Sequence, residues 1–456
     1  MQQYEFQDPN RPLMLEWVNQ TILHPVAALA MVLAALVFLV GGRKIWFLSM
    51  GLVICLLSEA QRFLIAGLDF QVLRFVGISG VALLAFRGEF KGLKISKLDW
   101  FLCAYFVLPA FFAALRGQTQ SVLNHFGYAV DALSMYAIGR VAIRDFGDVR
   151  AFARSLVVIS IPVVIAMCIE KMTARNFFSI LGGVPEITPI RFGKLRAQGA
   201  FAHSIIAGVW FASSIPIICA LWPVGHGTRG SVFFVLLGVS LAVFGVFATA
   251  SSTPMAGLVL AGVAIGAYKI WPLIRASRVL IVIFLTAAHF ASAAGIHHLL
   301  YTRFSFVTGS TGHHRFLLVD AAINNIKSWF LFGTNGTYSW GRGLWDVTQE
   351  YVAAAVNGGI IGLGLLITIL VYCFKNAGKV MRRSEPNASF VGYCLGASIF
   401  VHATCFLGAT YFGQIYLLLY FTIGGLQTLS VSGDLRSSDS SRRPERPEQM
   451  RRVARS

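Results

Sequence analysis

Thirteen apolar runs dominate this chain, near 25–41, 45–58, 72–86, 99–115, 121–140, 151–169, 203–222, 231–248, 252–268, 279–296, 350–373, 390–407 and 411–429. A hydrocarbon core of ~30 Å takes about 20 apolar residues per helix. Most of the runs approach that length, while the second and third are short enough to be tilted, broken or partly interfacial. Backbone inside lipid must satisfy its own hydrogen bonds, so runs of this kind fold as helices. The expected fold class is all-α: a polytopic membrane protein with about 12–13 transmembrane helices. Composition agrees. Of the 456 residues, 56% are hydrophobic and 13% charged, and the mean hydropathy is +0.68. A soluble domain carries roughly 25% charge. Soluble enzyme folds are therefore excluded, and so is bulk disorder, which needs an apolar-poor chain.

The net charge is +18. In a soluble protein that excess would point to nucleic acid; in a chain of spans it marks cytoplasmic loops. Arg43-Lys44, Arg87 to Lys97, Arg140 to Arg154, Arg229, Lys269 to Arg278 and Lys375 to Arg383 fall in alternate loops. These are the expected cytoplasmic loops, and no nucleic-acid partner is expected. The N-terminal segment is acidic and is followed by no small-residue cleavage site, so no cleavable signal is expected. Residues 1–430 read as one membrane domain. Residues 431–456, rich in Ser, Arg, Pro and Glu, read as a disordered basic cytoplasmic tail. Each of the seven cysteines falls inside an apolar run and none forms a CxxC pair, so neither disulfide nor metal cluster is expected.

Two long loops, 170–202 and 297–349, should then face outward. They carry charge that non-cytoplasmic loops usually avoid: Lys171, Arg175, Arg191, Lys194 and Arg196 in the first, and Arg303, Arg315, Lys327 and Arg342 with His297, His298, His313 and His314 in the second. Two readings stand. These cations are solvated surface and headgroup anchors, or some of them form an anion site, to which the planar guanidinium fork is suited. The second loop is dense in aromatic residues, which argues against disorder. Within it, 315–329 has apolar residues at 316, 317, 319, 322, 323, 326 and 329. That spacing predicts an amphipathic helix on the membrane surface, followed by a turn at Gly333-Thr-Asn-Gly336. Adjacent histidines seldom serve one ion, and no H-x-x-x-H accompanies them, so no metal is expected. Asp131 stands well inside an apolar run, and Asn124 or Tyr128 is its expected partner.

From Arg315 to Leu366 the chain has an arginine at a helix start, the turn Phe330-Leu-Phe-Gly333-Thr-Asn-Gly336, the polar Thr348-Gln-Glu350-Tyr351, and Gly359-Ile-Ile-Gly362-Leu. This segment resembles the O-antigen ligase / O-antigen polymerase superfamily, in which the arginine opens an outer-face helix. Upstream, Arg196-Ala-Gln-Gly199-Ala-Phe201 is similar to the family's "R-x-x-G-x-F" lead into a helix. Ligases of the family usually carry His-Asn where this chain has Thr348-Gln349. The family's Ser-Arg pair at a mid-chain helix start is Ser251-Ser-Thr-Pro254 here.

The resemblance implies a GT-C-like membrane enzyme that polymerises oligosaccharide units carried on polyprenyl pyrophosphate, at the outer face of the inner membrane and without cofactor. Its implied partners are that lipid-linked glycan, the bilayer and other polysaccharide-assembly membrane proteins. Breaking a sugar–phosphate bond puts negative charge on the leaving oxygen, which fixed cations stabilise. Arg196 and Arg315 are the candidates for that task, and Glu350 or Asp346 for the base. Glu350 is equally a first-turn acid favoured by a helix dipole. Arg191, Lys194, His314, Arg342 and Asp346 are candidate substrate contacts. A ligase acting on a lipid or protein acceptor is the alternative, as is a flippase. Against the flippase, no internal repeat or midplane polar cluster is visible.

Overall fold

A computed structural model describes residues 21–65, 68–222, 229–291, 312–383 and 387–440. His297, His298 and Arg303 lie outside the described residues. Each of the thirteen apolar runs contains a helix. In chain order these are α1 (Pro25–Val40), α2 (Arg43–Leu56), α3 (Val72–Phe86), α4 (Lys97–Leu115), α5 (Thr119–Ala142), α6 (Phe146–Thr173), α7 (Ser204–Cys219), α8 (Arg229–Ala248), α9 (Ser252–Gly266) and α10 (Trp271–Ala291). The second long loop adds α11 (Gly312–Asn324) and the single turn α12 (Ile326–Trp329) before α13 (Glu350–Met381), α14 (Ala388–Cys405) and α15 (Ile415–Ser440). Six stretches are long and apolar enough to cross a membrane: α4, α6, α13 and α14, Gly230–Ala248 of α8, and Ser252–Ser277, which runs from α9 into α10. Bulky apolar side chains such as Leu29, Val107, Phe111, Ile165, Phe233 and Val263 stay exposed on the helices. An apolar surface of that extent belongs in lipid. This is a membrane protein. All seven cysteines are free thiols.

Two departures from an all-helical fold occur among the described residues. Both are small hairpins: β1 (Arg62–Ile65) with β2 (Leu68–Gln71), and β3 (Ile190–Arg191) with β4 (Lys194–Leu195). Their backbone groups lie in connecting loops, where pairing with each other satisfies them. The tail departs as well. Instead of ending at 430, α15 continues to Ser440, because extending a formed helix adds one hydrogen bond per residue fixed. Residues 441–456 lie outside the described residues.

Local chemistry sets the helix ends. Ser96 and Asp99 form a capping box at the start of α4, and the Asp145 side chain accepts from Asp148 N at 2.9 Å at the start of α6. Each satisfies an amide that a helix start leaves open. Packing does the rest. The α5–α15 contact is the most extensive, because Gly139 and Gly424 let backbone touch backbone. A Cβ on Gly139 would lie 2.9 Å from Phe421 Cα, and one on Gly424 would lie 2.9 Å from Arg140 N. Without a hydrophobic drive between helices in lipid, such close approach is a principal source of association.

Asp131 has a different partner from either expected one. Arg74 of α3 clamps it with two bonds, Nε to Oδ1 at 3.0 Å and Nη2 to Oδ2 at 2.8 Å. Hydropathy hides this arginine inside an apolar run. Asp131→Asn keeps the shape and removes the charge, and should cost about 1.5–3 kcal/mol, the worth of a charged hydrogen bond. The detergent-solubilised variant is expected to melt below wild type, with most of the loss recovered when Arg74→Met is added. An unchanged melting temperature in the single variant would contradict this.

The bundle has two chemically different ends. Arg43 and Asp148 pair at 3.6 Å, Arg144 and Glu89 at 2.9 Å, and Arg140 donates to Lys94 O at 2.9 Å. These bonds gather 43–44, 87–97 and 140–148 at the basic end. At the other end Ser58 donates to Gly182 O at 2.5 Å, Thr410 to Val347 O at 2.6 Å, and Tyr105 to Glu350 Oε1 at 3.3 Å. Both long loops therefore sit at the same end.

The helix expected over 315–329 is present, broken at Asn325 into α11 and α12. Its buried stripe matches the expected one only at Ala322 and Trp329. Arg315, Leu318, Ala321 and Ala322 face the protein, while Leu317, Ile323 and Ile326 are exposed. Ala321 and Ala322 let α11 sit close to the bundle, Leu318 packs inward beside them, and Leu317, Ile323 and Ile326 point away. Beyond it, the turn at Gly333 plugs a break in α13. Gly359 takes φ 61°, ψ −161°. The freed Val356 carbonyl accepts from Thr334 N at 2.7 Å, and Ile360 N donates to Phe330 O at 2.8 Å. The two glycine motifs of the sequence thus meet in space.

Candidate functional site

The first loop is stapled before it delivers Arg196. Glu170, buried near the end of α6, accepts from Gly199 N at 2.9 Å, Thr188 Oγ1 at 3.1 Å and Gln198 N at 3.1 Å. Lys171 donates to Leu195 O at 2.9 Å, and Asn176 donates to Gly199 O at 2.8 Å. Gln414, just before α15, donates to Ala200 O at 3.0 Å. With the strand so held, Arg196 turns inward, is 9% exposed, and donates through Nη2 to Ser251 Oγ at 2.9 Å.

Arg315 arrives from the other long loop. The first turn of α11 directs it inward, where it is 7% exposed. Its Nη1 reaches Ser252 Oγ at 3.5 Å, a long hydrogen bond. Gln349 fixes its backbone by donating to Arg315 O at 2.9 Å. Two guanidinium groups, 119 residues apart in the chain, thus meet adjacent serines. Neither residue is surface-exposed in the way a headgroup anchor would be.

Those serines begin α9. Ser251 is its N-cap, yet its hydroxyl makes no capping bond to the helix's own amides; it donates instead to Thr249 O at 3.1 Å. The positive end of a 15-residue helix therefore adds to two buried cations, and all three favour an anion at one point. Two arginines from different loops thus reach these serines through space.

Glu350 opens α13 and belongs to a neighbouring compartment. Its Oε2 accepts from Tyr411 N at 2.9 Å and its Oε1 from Tyr105 OH at 3.3 Å. The Tyr411 hydroxyl lies 2.9 Å from His402 Nδ1. His402 is fully buried, and its Nε2 has no hydrogen-bond partner among the described residues. Gln349 and Glu350 are consecutive, so the same turn touches Arg315 on one side and this tyrosine–histidine cluster on the other.

The remaining candidates separate from this pair. Arg191 and Lys194 face each other across the exposed β3–β4 hairpin, with Arg191 stacked 5.5 Å from the Phe192 ring. His314 Nε2 contacts Gly343 O at 3.0 Å and so ties the following loop to α11. Arg342 is exposed beside Asp320 and Asn324, and Asp346 is exposed before α13. Among the described residues no three His, Cys, Asp or Glu side chains gather as a metal-ligating group.

Sequence reasoning missed Ser251, Ser252, Glu170, His402 and Glu59. For Glu170 a signal existed: an acid at the end of an apolar run, facing a glycine-containing loop. Glu59 sits in the turn after α2, and its Oε1 has no partner among the described residues. Burial pushes its carboxyl up to about 7, against the pull of Arg62. Compared with known proteins, the chain matches no family model and no curated sequence.

Proposed function

We propose that this chain is a membrane glycosyltransferase that polymerises polyprenyl-pyrophosphate-linked oligosaccharide units at the outer face of the inner membrane. The observation that carries the reading is the convergence of Arg196 and Arg315 on Ser251 and Ser252 at the start of α9. An acceptor hydroxyl attacks the anomeric carbon, a new glycosidic C–O bond forms, and the sugar–phosphate bond breaks. The pyrophosphate leaves with the electron pair. Two preorganised cations and a helix N-terminus stabilise that charge as it develops. Glu350, desolvated in the adjoining compartment, takes the hydroxyl proton, directly or through the Tyr105 hydroxyl that donates to it. About 12–13 of the apolar helices cross the membrane, the basic end lies in the cytoplasm, and α11 lies at the outer surface.

Purified protein in liposomes with lipid-linked repeat units tests the reading. A ladder of products that persists in excess chelator is expected. Transfer of a single unit to an added lipid acceptor, with no ladder, would move the assignment to a ligase; no transfer at all would end it. Orientation has its own check. In intact cells whose outer membrane has been permeabilised, an impermeant thiol reagent should label Ser339→Cys and leave Lys94→Cys unlabelled. The reverse pattern would invert the topology and remove the site from the outer face.

A further inference from the structure

A cleft of about 350 Å³ opens on the side of α11 away from the arginine pair. Asp320, Asn324, Asn325 and Arg342 line it with Trp340 and Leu344. Nine residues separate Arg315 from Asn324, about two and a half turns, which puts them on opposite faces of the helix. The cleft is therefore not the anion site. Its volume is near the small end of ligand clefts, which run from ~300 to ~1,000 Å³.

Its chemistry is mixed and charge-balanced. Asp320 accepts, Arg342 donates, and two carboxamides do both. The Trp340 and Leu344 side chains supply an apolar wall. Asp320 and Asn324 are bonded to each other at 3.1 Å, so the acid is held in place. A polyanion would meet the Asp320 carboxylate. A neutral pyranose instead offers hydroxyl edges to the polar groups and C–H faces to the apolar wall. Several lining residues are anchored: Thr337 donates to Leu344 O at 2.5 Å, Asn325 donates to Ala321 O at 2.8 Å, and His314 Nε2 lies 3.0 Å from the O of Gly343, the residue between Arg342 and Leu344. Such anchoring is what a specific polar site requires.

We propose that this cleft is a saccharide subsite that holds a unit or two of neutral glycan on the outer face of α11, behind the reacting end. Saccharide binding stands on the cleft alone; the role in retaining a growing chain rests on the polymerase reading. A polymer held at a second point dissociates less often between additions, because its rebinding is intramolecular.

The test separates the two. Fluorescently labelled wild-type protein in detergent is applied to a printed array of neutral and uronic-acid-containing oligosaccharides. Binding to neutral members is expected, with at least tenfold weaker signal for Asn324→Ala/Arg342→Ala and for Asn324→Trp, which fills the cleft. Arg315→Lys should bind the array like wild type, since it lies on the other face. In the liposome assay, both cleft variants should give shorter products than wild type. No array binding by wild type, or binding unchanged in both cleft variants, overturns the subsite whatever the polymer assay gives. Binding to phosphatidylglycerol vesicles that Arg342→Ala abolishes, with no array signal, reassigns the cleft to a lipid headgroup. Array binding that the cleft variants lose, in a protein that forms no polymer, keeps the subsite and removes the polymerase.

Discussion

If the chain polymerises glycan as proposed, replacing Arg315 by lysine lowers the rate by about 10²–10³, the loss of one preorganised donor at a developing oxyanion, or roughly 2.7–4 kcal/mol. The side chain is buried at the start of α9 beside Ser252. Lysine keeps the charge but loses the planar fork that grips two oxygens together. An anchoring role predicts no such loss, because lysine reaches headgroups about as well as arginine. Polymer length and yield on a gel, normalised to membrane-inserted protein, provide the measurement. Wild-type product from Arg315→Lys at equal expression would remove Arg315 from the reaction.

Gly359→Val should destabilise the protein by about 4 kcal/mol, combining backbone strain of ~1–3 kcal/mol with overpacking of ~1–3 kcal/mol. At φ 61°, ψ −161° the residue occupies a region open essentially to glycine alone. A Cβ there would lie 2.5 Å from Leu331 O, on the segment that plugs the break in α13. Valine thus either straightens α13 or expels the plug, and in both cases Val356 O loses Thr334 N inside an apolar bundle. Gly364→Ala, in the same helix with open space around it, should instead be neutral or slightly stabilising. Thermal unfolding of the three proteins in detergent gives the comparison. A Gly359→Val protein that melts with wild type would mean the kink is not constrained.

Hydropathy placed the helices because a span is a local property. About 20 apolar residues in a row leave a chain in lipid few alternatives to a helix. It could not say which side of a helix meets protein. Lipid tails and protein interiors are equally apolar, so one stripe suits either. That is why the expected stripe of 315–329 agrees with the structure only at Ala322 and Trp329, whereas Leu317, Ile323 and Ile326 are exposed and Arg315 and Leu318, outside the stripe, are buried. For the same reason Arg74 went unnoticed: one cation barely lowers the hydropathy of its run, and its partner Asp131 lies 57 residues away.

The candidate site divides along the same line. Arg196 and Arg315 were legible as cations in loops that normally avoid charge, within short motifs of fixed spacing. Their meeting point was not. Ser251-Ser-Thr-Pro254 was legible as a helix start, but the two serines gain their cationic neighbours only because Glu170 staples one loop and Gln349 fixes the other. Those bonds span 29 and 34 residues, beyond any periodicity that sequence carries. The sequence by itself determined a helical membrane bundle and the cations available to it. Tertiary structure decided which two cations share one helix N-terminus, because only the packed loops set distances between groups far apart in the chain.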